Sequence, residues 1–233
     1  DHIGAVLLER IVYYRGNLEQ VAMLMTSQWG DTLYWLWRML RTVGRIAFPI
    51  YFFLLVEGFL HTRDWRRYWL RMAAFALISE IPFRLAVWNT WAGGSSNVYV
   101  ELAIGLLVLR GLKQSEGLTQ PRRAAGMAAV IGGGCLAAVF LKADYDMDGI
   151  LIISLFYLLR EKRIVQVMSG GILSLLESWN MCYGAGILSA VPLYFYNGKK
   201  GQAPWKYAFY WFYPLHLMVL FFIRLYVVGI PLG

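Results

Sequence analysis

The sequence has few charged residues, few cysteines and few motifs of nucleotide or hydrolytic chemistry, and each shortage excludes a class of protein. Charged residues make up 15% of the 233 positions and hydrophobic residues 59%, with a mean hydropathy of +0.50. These values exclude an ordinary soluble domain. The two cysteines, Cys135 and Cys182, lie in or beside apolar segments, so we expect neither a disulfide framework nor a cysteine metal site. Walker, G-x-S-x-G and zinc-ligand spacings are absent from the sequence.

Apolar segments with short connections fill almost the whole chain. A helix needs about 20 apolar residues to cross the hydrocarbon layer, and nine segments qualify at least loosely. The pattern predicts an all-α fold, a polytopic transmembrane helical bundle forming a single domain over residues 1–233. The first span is expected to be truncated, because the chain begins inside a hydrophobic pattern. Residues 31–44 are predicted as an interfacial helix or as an extension of the span that follows. The predicted spans lie near 1–14, 44–60, 69–89, 98–112, 124–141, 147–160, 164–177, 183–196 and 207–228.

Basic residues are concentrated in alternate connections between the apolar segments. Lys and Arg accumulate in short cytoplasmic loops, so the alternation predicts a multi-pass membrane protein whose basic connections face the cytoplasm. The net charge of +8 then reflects contact with lipid headgroups, and no nucleic acid partner is expected. The basic connections are 61–68, 110–123, 160–163 and 197–206, and those that are neutral or acidic are 89–97, 142–148 and 177–184.

Titratable side chains inside three predicted spans are candidates for function. Counting along the helices places His2, Glu80 and His216 near mid-depth, where a charged group costs a few kcal/mol unless it faces an interior or a partner. An imidazole suits proton transfer near neutral pH, so His2 is the predicted general base, with Asp1 or Glu80 as its orienting carboxylate. Alternatively, Asp1 only holds its helix in place, and Glu80 forms an ion pair with Arg84 one turn away.

The basic segment after the second predicted span has two interpretations. Glu57 and His61 are four positions apart on one helical face, and Arg63, Arg66 and Arg67 follow them. The arginines are compatible with phosphate binding, but the rule of cytoplasmic positive charge also accounts for them. The acidic pattern in "ADYDMDG" lacks the spacing and the distal glutamate of a calcium loop, so no metal is expected.

The order of the motifs resembles the TraX family of membrane proteins, whose founding member N-acetylates F-type pilin. The resemblance covers nearly the whole chain, and the wider relatives include transmembrane acyltransferases that use a histidine in an early helix. It implies that Asp1 and His2 stand at the family's Asp-His motif, His216 at Tyr-Pro-Leu-His, Glu80 at "SEIPF", and Glu57 with His61 at "VEGF-H". The motifs that carry it are "DHIGAVL", "GRIAFPIYFFLLVEGFLHTRD", "ALISEIPF", "NVYVELAIGLL", "ADYDMDGILII" and "FYWFYPLHLMVL".

The resemblance implies a multi-pass acyltransferase of the bacterial inner membrane that moves an acetyl group from cytosolic acetyl-CoA to an amine. The expected acceptor is a peptide N-terminus, a pilin-like protein or a small amine. His2 would act as the base, and His216, Asn97 or Tyr213 would donate to the oxyanion. The expected acetyl-CoA site comprises Glu57, His61, Arg63, Arg66 and Arg67, with Lys199 and Lys200 as further phosphate ligands.

Two other classes of function remain open from the sequence. A proton-coupled transporter or channel would also use mid-membrane His and Glu side chains and kinked helices. A structural scaffold for a secretion or conjugation complex would instead pair off its polar residues and lack a central pocket.

Overall fold

The computed structural model describes residues 1–9, 26–199 and 206–228, and these residues form helices and connections without a strand. The N-terminal segment is π-helical over Gly4–Leu8, π-helical turns over Arg84–Trp88 and Ile223–Val228 extend α2 and α8, and a 3₁₀ helix over Ala185–Ser189 precedes α7. The α-helices are α1 (Gly30–His61), α2 (Trp65–Phe83), α3 (Val98–Ser115), α4 (Arg122–Phe140), α5 (Asp146–Leu158), α6 (Arg163–Cys182), α7 (Ala190–Tyr194) and α8 (Lys206–Phe222).

The all-helical class is confirmed, but the count of nine membrane spans is not. Within the described part of the chain, three helices combine the length and the apolar composition to cross a membrane: Gly30–His61, Arg122–Phe140 and Tyr207–Tyr226. The 13 residues of α5 extend only about 20 Å, less than the roughly 30 Å of the hydrocarbon layer. The predicted first span is helical over residues 2–9, and its remainder lies outside the described residues.

The segment predicted as either an interfacial helix or an extension belongs to α1. This helix runs without interruption for 32 residues, and Pro49 lies inside it. Local capping defines the neighbouring helix starts. The Asp64 carboxylate accepts from the Arg67 backbone N–H at 3.1 Å at the start of α2, and the Asn97 side chain accepts from the Tyr99 N–H at 3.0 Å at the start of α3. Such caps satisfy backbone donors that have no partner within the helix.

Among the described residues, two apolar clusters form the core. The larger one joins buried faces of α1, α2, α3 and α5, and its most enclosed side chains include Phe52, Phe53, Leu109 and Phe156. The smaller cluster joins the N-terminal segment to the end of α2 and to α8. The ring of Tyr213 packs against both clusters, so α8 carries side chains at the boundary between them.

A buried arginine attaches α8 to the end of α2. The Arg224 side chain is fully buried and donates to the carbonyl oxygens of Ala86 at 2.7 Å and Leu85 at 2.9 Å. It also donates to the Asn89 side-chain oxygen at 2.6 Å. Asn89 adopts a left-handed conformation with φ of 59° where the helical segment ends. Arg224 thus supplies donors to C-terminal carbonyls that have no partner within the helix.

Candidate functional site

A cavity of about 490 Å³ lies between α1 and α8. Helices α2 and α3, the connection between α4 and α5, and the first residues of the N-terminal segment also line it. Most of the lining is aromatic or aliphatic, which is typical of a small-molecule site. The lining residues are Asp1, His2, Gly44, Ala47, Phe48, Tyr51, Leu54, Leu55, Tyr68, Met72, Val98, Tyr99, Leu102, Asp144, Tyr145, Phe209, Tyr210, Phe212, Tyr213 and His216.

The first residues of the chain pack closely against the middle of α1. Gly44 permits this approach, because an added Cβ there would overlap Asp1. The Asp1 carboxylate accepts from the Arg41 guanidinium at 2.6 Å, and the Glu9 carboxylate lies 3.7 Å from the same arginine. Two ion pairs and a close contact therefore determine where His2 lies.

His2 and His216 are in direct contact in the lining of the cavity. The Nδ1 atom of His2 lies 2.8 Å from Nε2 of His216, although the residues are 214 positions apart in sequence. The Tyr213 ring meets the His2 ring edge-on, with the centroids 5.5 Å apart. Phe212 stacks on the His216 ring at 4.7 Å. The two imidazoles are thus held by each other and by aromatic neighbours on α8.

The hydrogen bonds of the pair define which nitrogen atoms carry protons. His216 Nδ1 lies 2.7 Å from the Phe212 carbonyl oxygen, which can only accept, so His216 Nδ1–H donates. In a neutral imidazole the other nitrogen is an acceptor. His216 Nε2 therefore accepts from His2 Nδ1–H, and the lone pair of His2 is at Nε2. The second imidazole thus leaves His2 with an acceptor atom that could take a proton.

A proline in α8 supports this arrangement. Pro214 has no N–H to donate to the carbonyl of Tyr210, four positions earlier. The Tyr99 hydroxyl donates to that carbonyl at 3.4 Å. The Tyr99 and Tyr210 rings stack with centroids 6.3 Å apart. The Tyr-Pro-Leu-His motif therefore provides both the histidine and the free carbonyl that connects α8 to α3.

Neither predicted carboxylate orients His2. Asp1 is paired with Arg41. Glu80 forms the ion pair with Arg84 at 2.8 Å, which was the alternative interpretation, and it accepts from the Asn97 amide at 2.6 Å. Glu80 does not line the cavity. Of the three titratable groups expected to converge, the structure brings together His2 and His216.

The predicted oxyanion donors are also separated. The Asn97 side chain is fully buried and is committed to Glu80, to the Ala76 carbonyl at 2.8 Å and to the cap of α3. It therefore has no contact with the cavity. Tyr213 does line the cavity beside His2.

The predicted phosphate site lies outside the cavity, at the corner between α1 and α2. Arg63, Arg66 and Arg67 are exposed, and Arg67 is paired with Asp64 at 3.0 Å. His61 contacts the backbone carbonyl of Glu57 at 2.8 Å rather than its carboxylate. The arginines are close in sequence to a lining residue, Tyr68. Lys199 is exposed, and Lys200 lies outside the described residues.

Sequence reasoning missed the residues of the α4–α5 connection that line the cavity. Tyr145 stacks on Phe48 with centroids 4.4 Å apart, and Asp144 also lines the cavity. Protein packed around Asp144 raises the pKa of its carboxyl to about 6, and the nearby charges of Arg45 and Arg41 limit the rise. The acidic cluster in "ADYDMDG" was visible, but nothing in its spacing indicated that Asp144 lines a cavity.

Comparison with known proteins gives the same family as the motifs. The family model described as "TraX protein" matches residues 1–224, a range that includes every lining residue of the cavity. The chain belongs to the TraX family. A curated relative, the probable fimbrial assembly protein FimC, serogroup H1, of Dichelobacter nodosus, is 28% identical over 93% of this chain and 94% of its own length. No solved structure matches the chain. TraX membership and the apolar helices identify a membrane protein.

Proposed function

We propose that this protein is an acyltransferase of the inner membrane that acetylates an amine, with cytosolic acetyl-CoA as the donor. The observation that carries the proposal is the His2–His216 hydrogen bond in the lining of an aromatic cavity. Membership of the TraX family and similarity to a probable fimbrial assembly protein support a role in pilus assembly. They favour a peptide N-terminus, such as that of a pilin-like protein, as the acceptor.

The reaction requires a general base and an enclosed site that holds both reactants. It does not require further activation of the donor. A thioester already carries a good leaving group, so the enzyme has to remove a proton from the amine and hold the reactants together. His2 Nε2 takes that proton while the amine nitrogen bonds to the acetyl carbon. The tetrahedral oxyanion then collapses, the carbon–sulfur bond breaks, and the coenzyme A thiolate leaves as the thiol after taking a proton from the imidazolium. Tyr213 is the candidate donor to the oxyanion.

The donor is proposed to enter from the end of the cavity at Tyr68. Gly58 packs against the Tyr68 hydroxyl and Gly44 against Asp1. These glycines are 14 positions apart on α1, a distance of about 21 Å along the helix. A long, narrow pantetheine arm fits such a cavity, while Arg63 and Arg66 remain outside for the phosphates. The basic connections then face the cytosol, where acetyl-CoA is made, in a multi-pass topology.

The test is acetyl transfer by the purified protein in proteoliposomes. Radiolabelled acetyl-CoA is supplied with peptides whose N-terminus is either free or blocked, and label is expected only on the free peptides. General base catalysis contributes about 10²- to 10⁴-fold, so His2→Ala should lower the rate by at least about 100-fold. Ile3→Ala is the matched control, because Ile3 is the exposed neighbour of His2 and does not line the cavity.

Two results would contradict the proposal. One is wild-type protein that neither transfers the acetyl group nor binds acetyl-CoA. The other is full transfer by His2→Ala. If the protein instead moved protons across the vesicle membrane without using acetyl-CoA, the transporter alternative would replace the acyltransferase.

A further inference from the structure

Asp144 lines the cavity and forms no ion pair with any residue that the structure describes. It is one of two carboxylates in the lining. The other, Asp1, is paired with Arg41 at 2.6 Å. Among the residues that the structure describes, no basic group lies within ion-pair distance of Asp144. The cavity therefore contains one negative charge that a bound cation could neutralise.

The two nearest arginines are committed elsewhere. Arg41 binds Asp1 and lies 3.7 Å from Glu9. Arg45 is 3.3 Å from Glu177 on α6, and its guanidinium lies 5.5 Å from the centre of the Tyr145 ring. Both arginines influence Asp144 electrostatically, but the Nη1 atom of each donates to another carboxylate.

Tyrosine rings surround the same end of the cavity. Tyr145 follows Asp144 in the chain, and Tyr99 and Tyr213 line the cavity beside it, with their rings edge-to-face at 5.2 Å. Aromatic faces attract ammonium groups, and more strongly where water is excluded. A carboxylate among tyrosines is an environment for an organic cation. The charge of Asp144 also acts on Tyr213, whose ring touches that of His2, so the cation would lie near the proposed base.

We propose that Asp144 binds the ammonium group of the acceptor and makes the site selective for amines over alcohols and acidic acceptors. This inference rests on the proposed function. The ammonium loses one proton through His2 to solvent, and the neutral amine nitrogen then bonds to the acetyl carbon as the carbon–sulfur bond breaks. The second proton goes to the coenzyme A thiolate. An ammonium ion and acetyl-CoA thus give the N-acetyl product, coenzyme A thiol and one free proton.

The charge distribution also indicates a different binding position for each of the two substrates. The phosphates of acetyl-CoA are negative and match the exposed arginines outside the Tyr68 end of the cavity. The acceptor is positive and matches the carboxylate near His2. Asp144 lies in a connection between helices rather than inside one, so an acceptor can reach it from the membrane face opposite to the basic connections.

The test compares Asp144→Asn with Asp146→Asn. Asp146 is exposed, lies in the same acidic sequence and does not line the cavity. Loss of one partner of a charge pair weakens binding substantially, so Asp144→Asn should raise the KM for a peptide with a free N-terminus by roughly 10- to 100-fold. Asp146→Asn should keep the wild-type KM for the same peptide.

A second measurement uses the wild-type protein alone and so does not depend on how the variant folds. Choline and its neutral isostere dimethylbutanol are compared as ligands by calorimetry and as competitive inhibitors against the peptide. A preference for choline of at least about tenfold is expected, and Asp144→Asn should lose it. An unchanged peptide KM in Asp144→Asn, or equal binding of the two isosteres by wild type, would overturn the assignment of Asp144. Wild-type protein that binds choline but transfers no acetyl group would instead overturn the proposed function.

Discussion

Replacing His216 tests whether the second imidazole positions the first. The bond between His2 Nδ1 and His216 Nε2 is 2.8 Å long. In His216→Phe the N–H of His2 loses its acceptor, and leaving such a donor unpaired in a protein interior costs about 1–3 kcal/mol. At 1.36 kcal/mol per factor of ten, this cost corresponds to a loss in rate of about 5- to 150-fold. Because His2 lines a cavity that can admit water, we expect the lower part of that range, about 5- to 20-fold.

The assay is kcat/KM for acetyl transfer to a free peptide N-terminus, measured at saturating acetyl-CoA. His216→Gln is the informative partner variant, because its side-chain oxygen can accept where Nε2 does, and it should recover most of the activity. Leu215→Ala, an exposed neighbour on α8, controls for disturbance of the helix, and thermal unfolding in detergent controls for stability. The reasoning is refuted if His216→Phe keeps wild-type kcat/KM, or if His216→Gln is as impaired as His216→Phe.

Three further predictions concern the framework of the site. Gly44→Ala should displace the N-terminal segment and abolish acetyl transfer. Gly132→Ala is the control and should transfer normally, because an added Cβ there has no neighbour within 4 Å. Equal activity of the two variants would contradict the packing of the N-terminal segment against Gly44. Arg224→Met should lower the free energy of unfolding by about 2–4 kcal/mol, because buried carbonyls lose charged donors. Denaturant unfolding measures this loss, and the exposed Arg122→Met should show none. The pKa of Asp144 is raised to about 6, so ionising this carboxyl costs stability above that pH. Asp144→Asn should therefore unfold at a higher temperature than wild type near pH 8, with the difference vanishing near pH 4; a difference that grew toward low pH would contradict this assignment.

The positions of the helices were largely predictable, whereas their roles as spans were not. Hydropathy locates an apolar helix well, and the boundaries of α3 and α4 differ from the predicted segments by only a few residues. The same signal cannot separate a helix that crosses a membrane from a short one that packs against its neighbours. The 13 residues of α5 illustrate the difficulty, because burial inside the protein and burial in lipid both select apolar side chains.

The sequence indicated the two histidines of the candidate site, but not which residue each of them contacts. Histidines inside apolar segments are unusual enough to be noticed, and both His2 and His216 line the cavity. Asp1 is adjacent to His2 in sequence, yet its carboxylate belongs to Arg41. Glu80 forms an ion pair with Arg84, one helical turn away. This local pairing was the alternative to a contact between Glu80 and His2.

The sequence by itself determined the class of protein: a helical membrane protein of the TraX family, with histidines in unusual positions and a basic corner after the second predicted span. These properties depend on local composition and on motif order, which can be read along the chain. Only the tertiary structure decided which polar groups meet. It joined two histidines 214 positions apart, separated Glu80 and Asn97 from them, and turned Asp144 toward the same cavity. Hydrogen-bond partners depend on distances of about 3 Å between helices remote in sequence, and neither hydropathy nor charge pattern contains those distances.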